Sequence, residues 1–170
     1  TDTFIRCDVY PGAHGMETLE DVLKNSCNDA LMAIGAKMGI SDFIKYQSLF
    51  NFGSKTGIDL PEEIAGIVYD QKGMNEVELA TCTFGQGFTC TMIQQIASFC
   101  AVVNGGYYYQ PHVVEKVLDE NGKIIKSSDG MLLKQPISNH VSSLLQRYRK
   151  GREGVSFEGS GTDQAAGAHR

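Results

Sequence analysis

The stretch Asn25-Ser26-Cys27-Asn28 joins two helical segments, and the first fifty residues are arranged around it. The Ser26 hydroxyl can pass a proton, and the Asn28 carboxamide can both donate and accept hydrogen bonds. In an extended or turn backbone, side chains two positions apart project to the same side. Such a pair suits acyl transfer, in which a leaving amine takes up a proton while an amide is held. Both residue types are also common N-caps, so capping of the next helix is the competing interpretation.

Apolar spacing predicts helices on both sides of this junction. One helix begins at Thr18 with a weak form of the capping box. A second helix covers residues 28–38 and ends at Gly39. Ser41 is predicted to cap a third helix, which ends near Gly53. The short connections between these segments make the three helices neighbours in space.

Length and composition set the broad class. The chain has 170 residues, a net charge of −5 and 42% hydrophobic residues. These values allow one domain with a real core or a large piece of a bigger one, and they argue against disorder and against a nucleic-acid groove. No run of eighteen apolar residues is present to span a membrane. No signal peptide is visible, and the chain begins at Thr1 without an initiator Met, so we expect upstream sequence to be missing.

The cysteines do not predict a metal site. The five cysteines are Cys7, Cys27, Cys82, Cys90 and Cys100. Their number is odd, and no two have C-x-x-C spacing. A closed zinc site is therefore not expected, and His14 has no second histidine placed to pair with it. Cys90 and Cys100 are predicted to be small core residues. The sequence leaves open whether Cys7 and Cys27 form a disulfide.

Two glycine-containing stretches lie in the middle of the chain. Lys55-Thr56-Gly57 lacks the Gly-x-x-x-x-Gly-Lys-Thr frame of a phosphate loop. The Lys-Thr-Gly element of serine acyl enzymes belongs on a strand far downstream, so the run is predicted to be a surface turn. Residues 67–90 carry few helical signals. Within them, residues 84–87 form a tight turn whose glycines permit close backbone approach to a ligand or to a packed helix.

The second half begins with a helix and then changes to strands. Thr91 and Gln94 form a capping box that opens a helix to about Asn104, and its nearly wholly apolar sequence predicts a central position. Its predicted inward residues are Ile93, Ile96, Ala97, Phe99, Cys100 and Val103. Residues 107–109 and 113–118 are strand-like, and a turn at 121–122 predicts a hairpin. Ser138 caps a last helix to about Arg149. Its predicted core side comprises Val141, Leu144, Leu145 and Tyr148.

These motifs, taken in order, resemble the transpeptidase domain of class B penicillin-binding proteins. The match runs from about residue 15 to residue 162, and several ordered motifs at family spacing are far more specific than any one alone. The motifs that carry it are Ser26-Cys27-Asn28, Phe52-Gly53-x-Lys55-Thr56-Gly57-Ile58-Asp59-Leu60-Pro61, Phe84-Gly85-Gln86-Gly87, Thr91-x-Ile93-Gln94, Ala101-x-x-Asn104-Gly105-Gly106, Pro111-His112-Val113-Val114 and Glu158-Gly159-Ser160-Gly161-Thr162.

The resemblance implies a chemistry and a set of partners. A serine in Ser-x-x-Lys attacks the D-Ala-D-Ala amide of a peptidoglycan stem peptide and passes the acyl group to an amine, and β-lactams acylate the same serine. Ser26 matches the serine that relays a proton, and Asn28 matches the carboxamide that holds the donor amide. We also expect Gly85, Gln86 and Gly87 to contact substrate. No metal, organic cofactor or nucleic acid is implied. The parent protein would be anchored by one N-terminal membrane helix, outside the cytoplasm, with division or sporulation proteins as partners.

The chain departs from the family in two respects that decide its own activity. None of its serines has a lysine three positions later, so the nucleophile is expected upstream of Thr1 and the catalytic Lys-Thr-Gly strand beyond Arg170. We therefore expect that these 170 residues alone neither hydrolyse β-lactams nor bind them covalently. Two other classes stay open, a non-catalytic scaffolding or binding module and a β-lactamase-related protein.

The fold class follows from the same comparison of motifs. We predict a mixed α/β domain of the penicillin-binding protein and serine β-lactamase type, represented here by a helix-rich part. Residues 1–170 would form the central part of a single transpeptidase domain. The strands within residues 107–126 are expected to lie outside the helical core.

Overall fold

In the second half of the chain, four short antiparallel strands lie between two helices, whereas the described part of the first half contains helices and loops. The computed structural model describes residues 5–128 and 130–150, and of the last two of these only the backbone. The helices are α1 (Leu19–Asn25), α2 (Asn28–Leu49), α3 (Glu76–Thr83), α4 (Met92–Val103) and α5 (Asn139–Lys150). The strands are β1 (Tyr108–Tyr109), β2 (Lys116–Leu118), β3 (Ile124–Ser127) and β4 (Leu132–Lys134). This mixture of helix and strand confirms the predicted class. The motif at 158–162 lies outside the described residues.

Helix α2 differs from the two separate helices predicted for this region. Residues 28–49 form one element with a break at Gly39, whose backbone is non-helical at φ 78° and ψ 162°. The predicted stop at Gly39 is therefore a kink, and the second part follows without a loop. It ends at Leu49, not near Gly53, and Ser41 lies inside the element instead of capping a new helix.

Helix α3 was not predicted. Asn75 caps it by accepting hydrogen bonds from two backbone amides, and the Glu78 side chain accepts from the Asn75 N–H to complete a capping box. This helix packs along α2, and a core cluster lies between them. The cluster contains Met74, Leu79 and Cys82, with Ile40, Phe43, Ile44, Tyr69 and Phe88 packed around it. Residues 67–90 therefore belong to the helical layer.

Helix α4 begins and ends as predicted, but its buried face is more polar than expected. Thr91 and Gln94 form the capping box, and the helix ends with Asn104 as C-cap. The buried positions are Gln94, Ala97, Ser98 and Ala101. The prediction that Ile96, Phe99 and Cys100 face inward is wrong, since all three are exposed. Cys90 is only partly buried.

The strands form two separate pairs. Strand β1 pairs antiparallel with β4, and β2 pairs antiparallel with β3 as the predicted hairpin. All residues of β2 and β3 are exposed, which agrees with a position outside the helical core. Strand β1 does not follow that expectation, because Tyr108 is fully buried against Ala97 and Ala101 of α4.

Helix α5 docks on the end of α4. Ser138 caps it, accepting a hydrogen bond from the Val141 N–H at 3.3 Å. The buried contact is made by Ser142, whose hydroxyl donates to the Val102 carbonyl at 2.6 Å and accepts from the Gly105 N–H at 3.0 Å. The predicted core residues Val141 and Leu144 are exposed, while Leu145 and Tyr148 are partly buried. None of the helices described here is long and apolar enough to cross a membrane.

Candidate active site

The junction between α1 and α2 places Ser26 in a strained and exposed position. Its backbone is left-handed, at φ 50° and ψ 44°, and it is the C-cap of α1. Few residues other than glycine adopt this conformation, and such positions are found where a specific side chain is needed. The side chain is exposed, and its hydroxyl makes no hydrogen bond to any part of the chain that the structure describes. The hydroxyl is therefore available to a ligand.

Asn28 is held in place from the other side of the junction. It is the first residue of α2 and is partly buried, and its Nδ2 donates to the Arg6 carbonyl at 3.2 Å. This bond fixes the carboxamide, and its Oδ1 accepts no hydrogen bond from the residues that the structure describes. The N-cap of α2 is Cys27, so neither Ser26 nor Asn28 caps that helix end. The competing interpretation, in which Ser26 and Asn28 serve as N-caps, is therefore wrong.

Cys27, between these two residues, points into a cavity of about 240 Å³. The cavity is lined by Cys7 and His14 of the N-terminal loop, by Glu17, and by the start of α2. Ser26 and Asn28 are not among its lining residues, so this hollow is distinct from the surface that the two predicted residues present. The structure has Cys7 and Cys27 as free thiols.

Glu17 supports the junction electrostatically. Its Oε1 accepts a hydrogen bond from Asn25 Nδ2 at 2.7 Å. Hydrogen bonds from Asn25 and from the Cys27 thiol lower the pKa of Glu17. The Ala30 N–H works to lower the pKa of the Cys27 thiol, but the nearby Glu17 carboxylate and burial together raise it. The thiol therefore stays protonated beside this carboxylate.

The predicted substrate-binding turn closes the end of α3. Gly85 N–H donates to the Cys82 carbonyl at 3.1 Å and Gln86 N–H to the Thr81 carbonyl at 3.0 Å. Gly85 and Gly87 have φ values of 90° and 83°, as the glycine-rich sequence predicts. All three residues 85–87 are exposed, and space around Gly85 is open.

This turn belongs to the same helical layer as Asn28. Thr83, at the end of α3, packs so tightly on Gly35 of α2 that a Cβ at Gly35 would overlap its side chain. Gly35 lies seven residues after Asn28, or roughly 10 Å along a helix that rises 1.5 Å per residue. The packing of α3 on α2 thus brings the turn to the same side of the fold, without direct contact to Ser26 or Asn28 in the described residues.

The Lys55-Thr56-Gly57 run is a clamped loop, not a freely exposed turn. Thr56 is 3% exposed, and the Glu63 carboxylate accepts hydrogen bonds from its N–H and hydroxyl, each at 2.6 Å. Glu63 also accepts from the Gly57 N–H at 3.0 Å. Partial burial works to raise the pKa of Glu63, but these hydrogen bonds from Thr56 and Gly57 outweigh it and lower the pKa. The run is structural, as predicted, although Thr56 is not at the surface.

One cluster of ligand-type side chains was missed at the sequence level. Cys7, His14 and Cys27 have their Sγ and ring nitrogen atoms all within 4.8 Å of one another. His14 pairs with the two cysteines instead of with a second histidine, and the spacing between the three matches no common motif. In the sequence, the cluster is indicated only by three residues of types that bind metals, two before the short helix α1 and one after it.

Comparisons with known proteins agree on one family. The model of the penicillin binding protein transpeptidase domain matches residues 8–167. Stage V sporulation protein D of Bacillus subtilis is 38% identical over 160 residues, covering 94% of this chain and 24% of that protein. Penicillin-binding protein H of Bacillus subtilis is 36% identical over 120 residues, covering 68% of this chain and 17% of that protein. The chain thus spans about a quarter or less of the length of these relatives.

Solved structures show the same fold. Penicillin binding protein 3 of Mycobacterium tuberculosis, in complex with ampicillin, superimposes with a TM-score of 0.76 at 20% identity, over 84% of this chain and 31% of that one. Penicillin Binding Protein 2X of Streptococcus thermophilus gives a TM-score of 0.71 at 27% identity, over 78% of this chain and 19% of that one. The predicted transpeptidase fold, represented by part of a domain, is confirmed.

Proposed function

This chain belongs to the penicillin binding protein transpeptidase domain family, and its relatives are of the class B type. We propose that it is the central part of a peptidoglycan D,D-transpeptidase domain. In this proposal residues 1–170 belong to one domain, whose attacking serine comes from outside them, since no Ser-x-x-Lys occurs here. The substrate is a peptidoglycan stem peptide ending in D-Ala-D-Ala. β-Lactams acylate the same serine, as the ampicillin complex of a protein with this fold suggests.

The observation that carries the proposal is the exposed, left-handed Ser26 beside an anchored Asn28. During acylation the serine nucleophile forms a bond to the carbonyl carbon, and the C–N bond to the terminal D-Ala then breaks. The leaving nitrogen needs a proton at that moment, and the free Ser26 hydroxyl can relay one to it. Asn28 Oδ1 is free to accept a hydrogen bond from the N–H of the acyl donor, because Nδ2 is already bound to Arg6.

The turn at 85–87 is proposed to contact the substrate through its carbonyl groups and the Gln86 side chain. The Gly85 and Gln86 N–H groups are used within the turn, whereas the exposed Gln86 side chain and the open space at Gly85 are accessible to an extended peptide. By the same proposal the whole protein acts on the extracytoplasmic face of the cell membrane, to which a helix outside this chain anchors it. Division or sporulation proteins are its proposed partners, and the name of the Bacillus subtilis relative supports the second of these.

The test uses Ser26→Gly and Ser26→Ala in the full-length protein. Glycine removes the hydroxyl but suits a left-handed backbone better than serine, so Ser26→Gly is expected to retain or raise thermal stability. The rate of acylation by a fluorescent penicillin is expected to fall by a factor of about 10² to 10⁴, the usual contribution of a positioned proton-transfer group. Ser26→Ala is expected to show the same loss of rate.

Glu62→Gly is the matched control, because Glu62 is an exposed residue with a left-handed φ of 59° in a loop away from the junction. It is expected to leave the acylation rate unchanged. Wild-type acylation in both Ser26 variants would contradict the proposal.

For the turn, Gln86→Ala is expected to raise the concentration of stem peptide needed for half-maximal rate without changing stability, because Gln86 is exposed.

A further inference from the structure

We propose that Cys7, His14 and Cys27, with Glu17 as fourth ligand, bind one Zn²⁺ ion in the cavity behind the α1–α2 junction. The loop before α1 brings Cys7 and His14 to the cavity, and Cys27 reaches it from the position just before α2. Helix α1 reverses the chain between them. Three ligands from two separated segments therefore meet at one place.

The distances fit a tetrahedral zinc site. With Zn–S near 2.3 Å and Zn–N near 2.0–2.1 Å, a tetrahedral angle separates sulfur and nitrogen by about 3.6 Å and two sulfurs by about 3.8 Å. Cys7 Sγ lies 3.6 Å from His14 Nδ1. The ligand atoms of Cys7, His14 and Cys27 all lie within 4.8 Å of one another, so a side-chain adjustment of about 1 Å brings these three around an ion.

The surroundings favour zinc over other ions. Two thiolates neutralise a divalent cation, and sulfur ligands select zinc against magnesium, calcium and manganese. Cys27 is buried, and Cys7 and His14 are partly buried, so the site is sheltered from water. Glu17 lines the same cavity and Asn25 holds its Oε1, so its carboxylate becomes the fourth ligand once the side chain turns toward the other three.

Binding would stiffen the junction. Cys27 is the residue between Ser26 and Asn28, so an ion held by its sulfur fixes the backbone that carries both side chains. The effect on acylation rests on the function proposed above, but metal binding itself does not. The two proposals can therefore fail independently.

The test measures metal binding by the full-length protein after reduction, with free thiols counted and metal removed by a chelator. Co²⁺ is the probe. The expected result is one equivalent bound, with the visible bands of tetrahedral Co²⁺ and a thiolate-to-metal charge-transfer band. Zn²⁺ is expected to displace it. The variant Cys7→Ser is expected to remove the charge-transfer intensity in part and to weaken Zn²⁺ binding at least tenfold.

Three further variants separate the ligands from the background. His14→Ala is expected to weaken Zn²⁺ binding at least tenfold while keeping the charge-transfer band. Glu17→Gln is expected to weaken binding less and to keep that band as well. Cys100→Ser is the matched control, an exposed thiol on α4 outside the cluster, and is expected to bind like the wild type. Reduced protein that binds no Co²⁺, or the same loss in Cys100→Ser as in Cys7→Ser, would overturn the proposal.

Discussion

Gln94 holds three segments together, and its replacement by methionine is expected to destabilise the protein by about 3–5 kcal/mol. The side chain is fully buried, and its Nε2 lies 2.7 Å from the carbonyls of Ser54 and Ala65 and 3.3 Å from that of Asn51. Its Oε1 accepts from the Thr91 N–H at 2.8 Å. One side chain thus caps α4 and fixes the loops at 51–54 and 65.

The magnitude follows from the groups left without partners. A hydrogen bond contributes about 0.5–1.5 kcal/mol net, and a buried group that loses its partner costs about 1–3 kcal/mol. Methionine has a similar volume but removes every polar contact of the side chain, including the reciprocal half of the capping box, worth at most about 1 kcal/mol, while the bond from the Gln94 N–H to Thr91 stays. The short bonds to Ser54 and Ala65 and the cap therefore account for the estimate, while the longer bond to Asn51 adds little.

Urea denaturation measures the effect, and the neighbouring residue supplies the control. At a slope of about 2 kcal/mol per molar urea, a loss of 4 kcal/mol lowers the midpoint by about 2 M. Gln95→Met changes the same residue type at an exposed position of the same helix, so its effect is expected to stay within about 0.5 kcal/mol.

A second variant tests the direction of the hydrogen bonds. Gln94→Glu keeps an acceptor for the cap but places an acceptor where the three carbonyls need a donor. It is expected to be at least as destabilising as Gln94→Met at neutral pH and to recover part of the loss at low pH, where the protonated carboxyl can donate. A Gln94→Met midpoint equal to that of Gln95→Met, or a glutamate variant more stable than the methionine variant, would refute the reasoning.

The other predictions concern contacts elsewhere in the fold. Ser142→Ala removes the hydrogen bonds of a fully buried hydroxyl to the Val102 carbonyl and from the Gly105 N–H, and a longer one from Gln146, and is expected to cost about 1–3 kcal/mol in denaturation, whereas Ser143→Ala, at an exposed position, should cost little. Gly106, at φ 94°, lies so close to the Ile137 carbonyl that an added Cβ would overlap it. Gly122, at φ 80°, has open space, so Gly122→Ala meets only the cost of a left-handed backbone, about 1–2 kcal/mol. We therefore expect Gly106→Ala to lower the free energy of unfolding more than Gly122→Ala does. Because its folded-state pKa is lowered, the stabilisation by Glu63 is full above its ordinary pKa of about 4.3 and lost as pH falls through the folded value. Glu63→Gln should flatten that part of the stability–pH curve.

Local sequence rules predicted the elements whose signals lie within a few residues. The capping boxes at Thr18 and Thr91 begin α1 and α4 where the sequence placed them, because the box satisfies orphan amides locally. The same signal was present at Asn75 and Glu78 and would have revealed α3. Apolar periodicity was a poorer guide. It placed Ile96 and Phe99 inside, but burial in α4 follows Gln94 and Ser98, whose side chains donate to carbonyls that lie 29 to 48 residues away in the sequence.

The candidate site shows the same division between local and distant information. Ser26 and Asn28 were identified because they lie two positions apart in the sequence, and the structure adds a backbone strain and an anchoring bond that no local rule contains. The group of Cys7, His14 and Cys27 depends on how the N-terminal loop returns over α1, and spacing between residues does not determine that path. Cys27 belongs to this group and lies between Ser26 and Asn28 in the chain. If the thiol cluster binds an ion and the hydroxyl and amide on either side of Cys27 serve acylation, then occupancy of the metal site controls the geometry of those two side chains through a single residue.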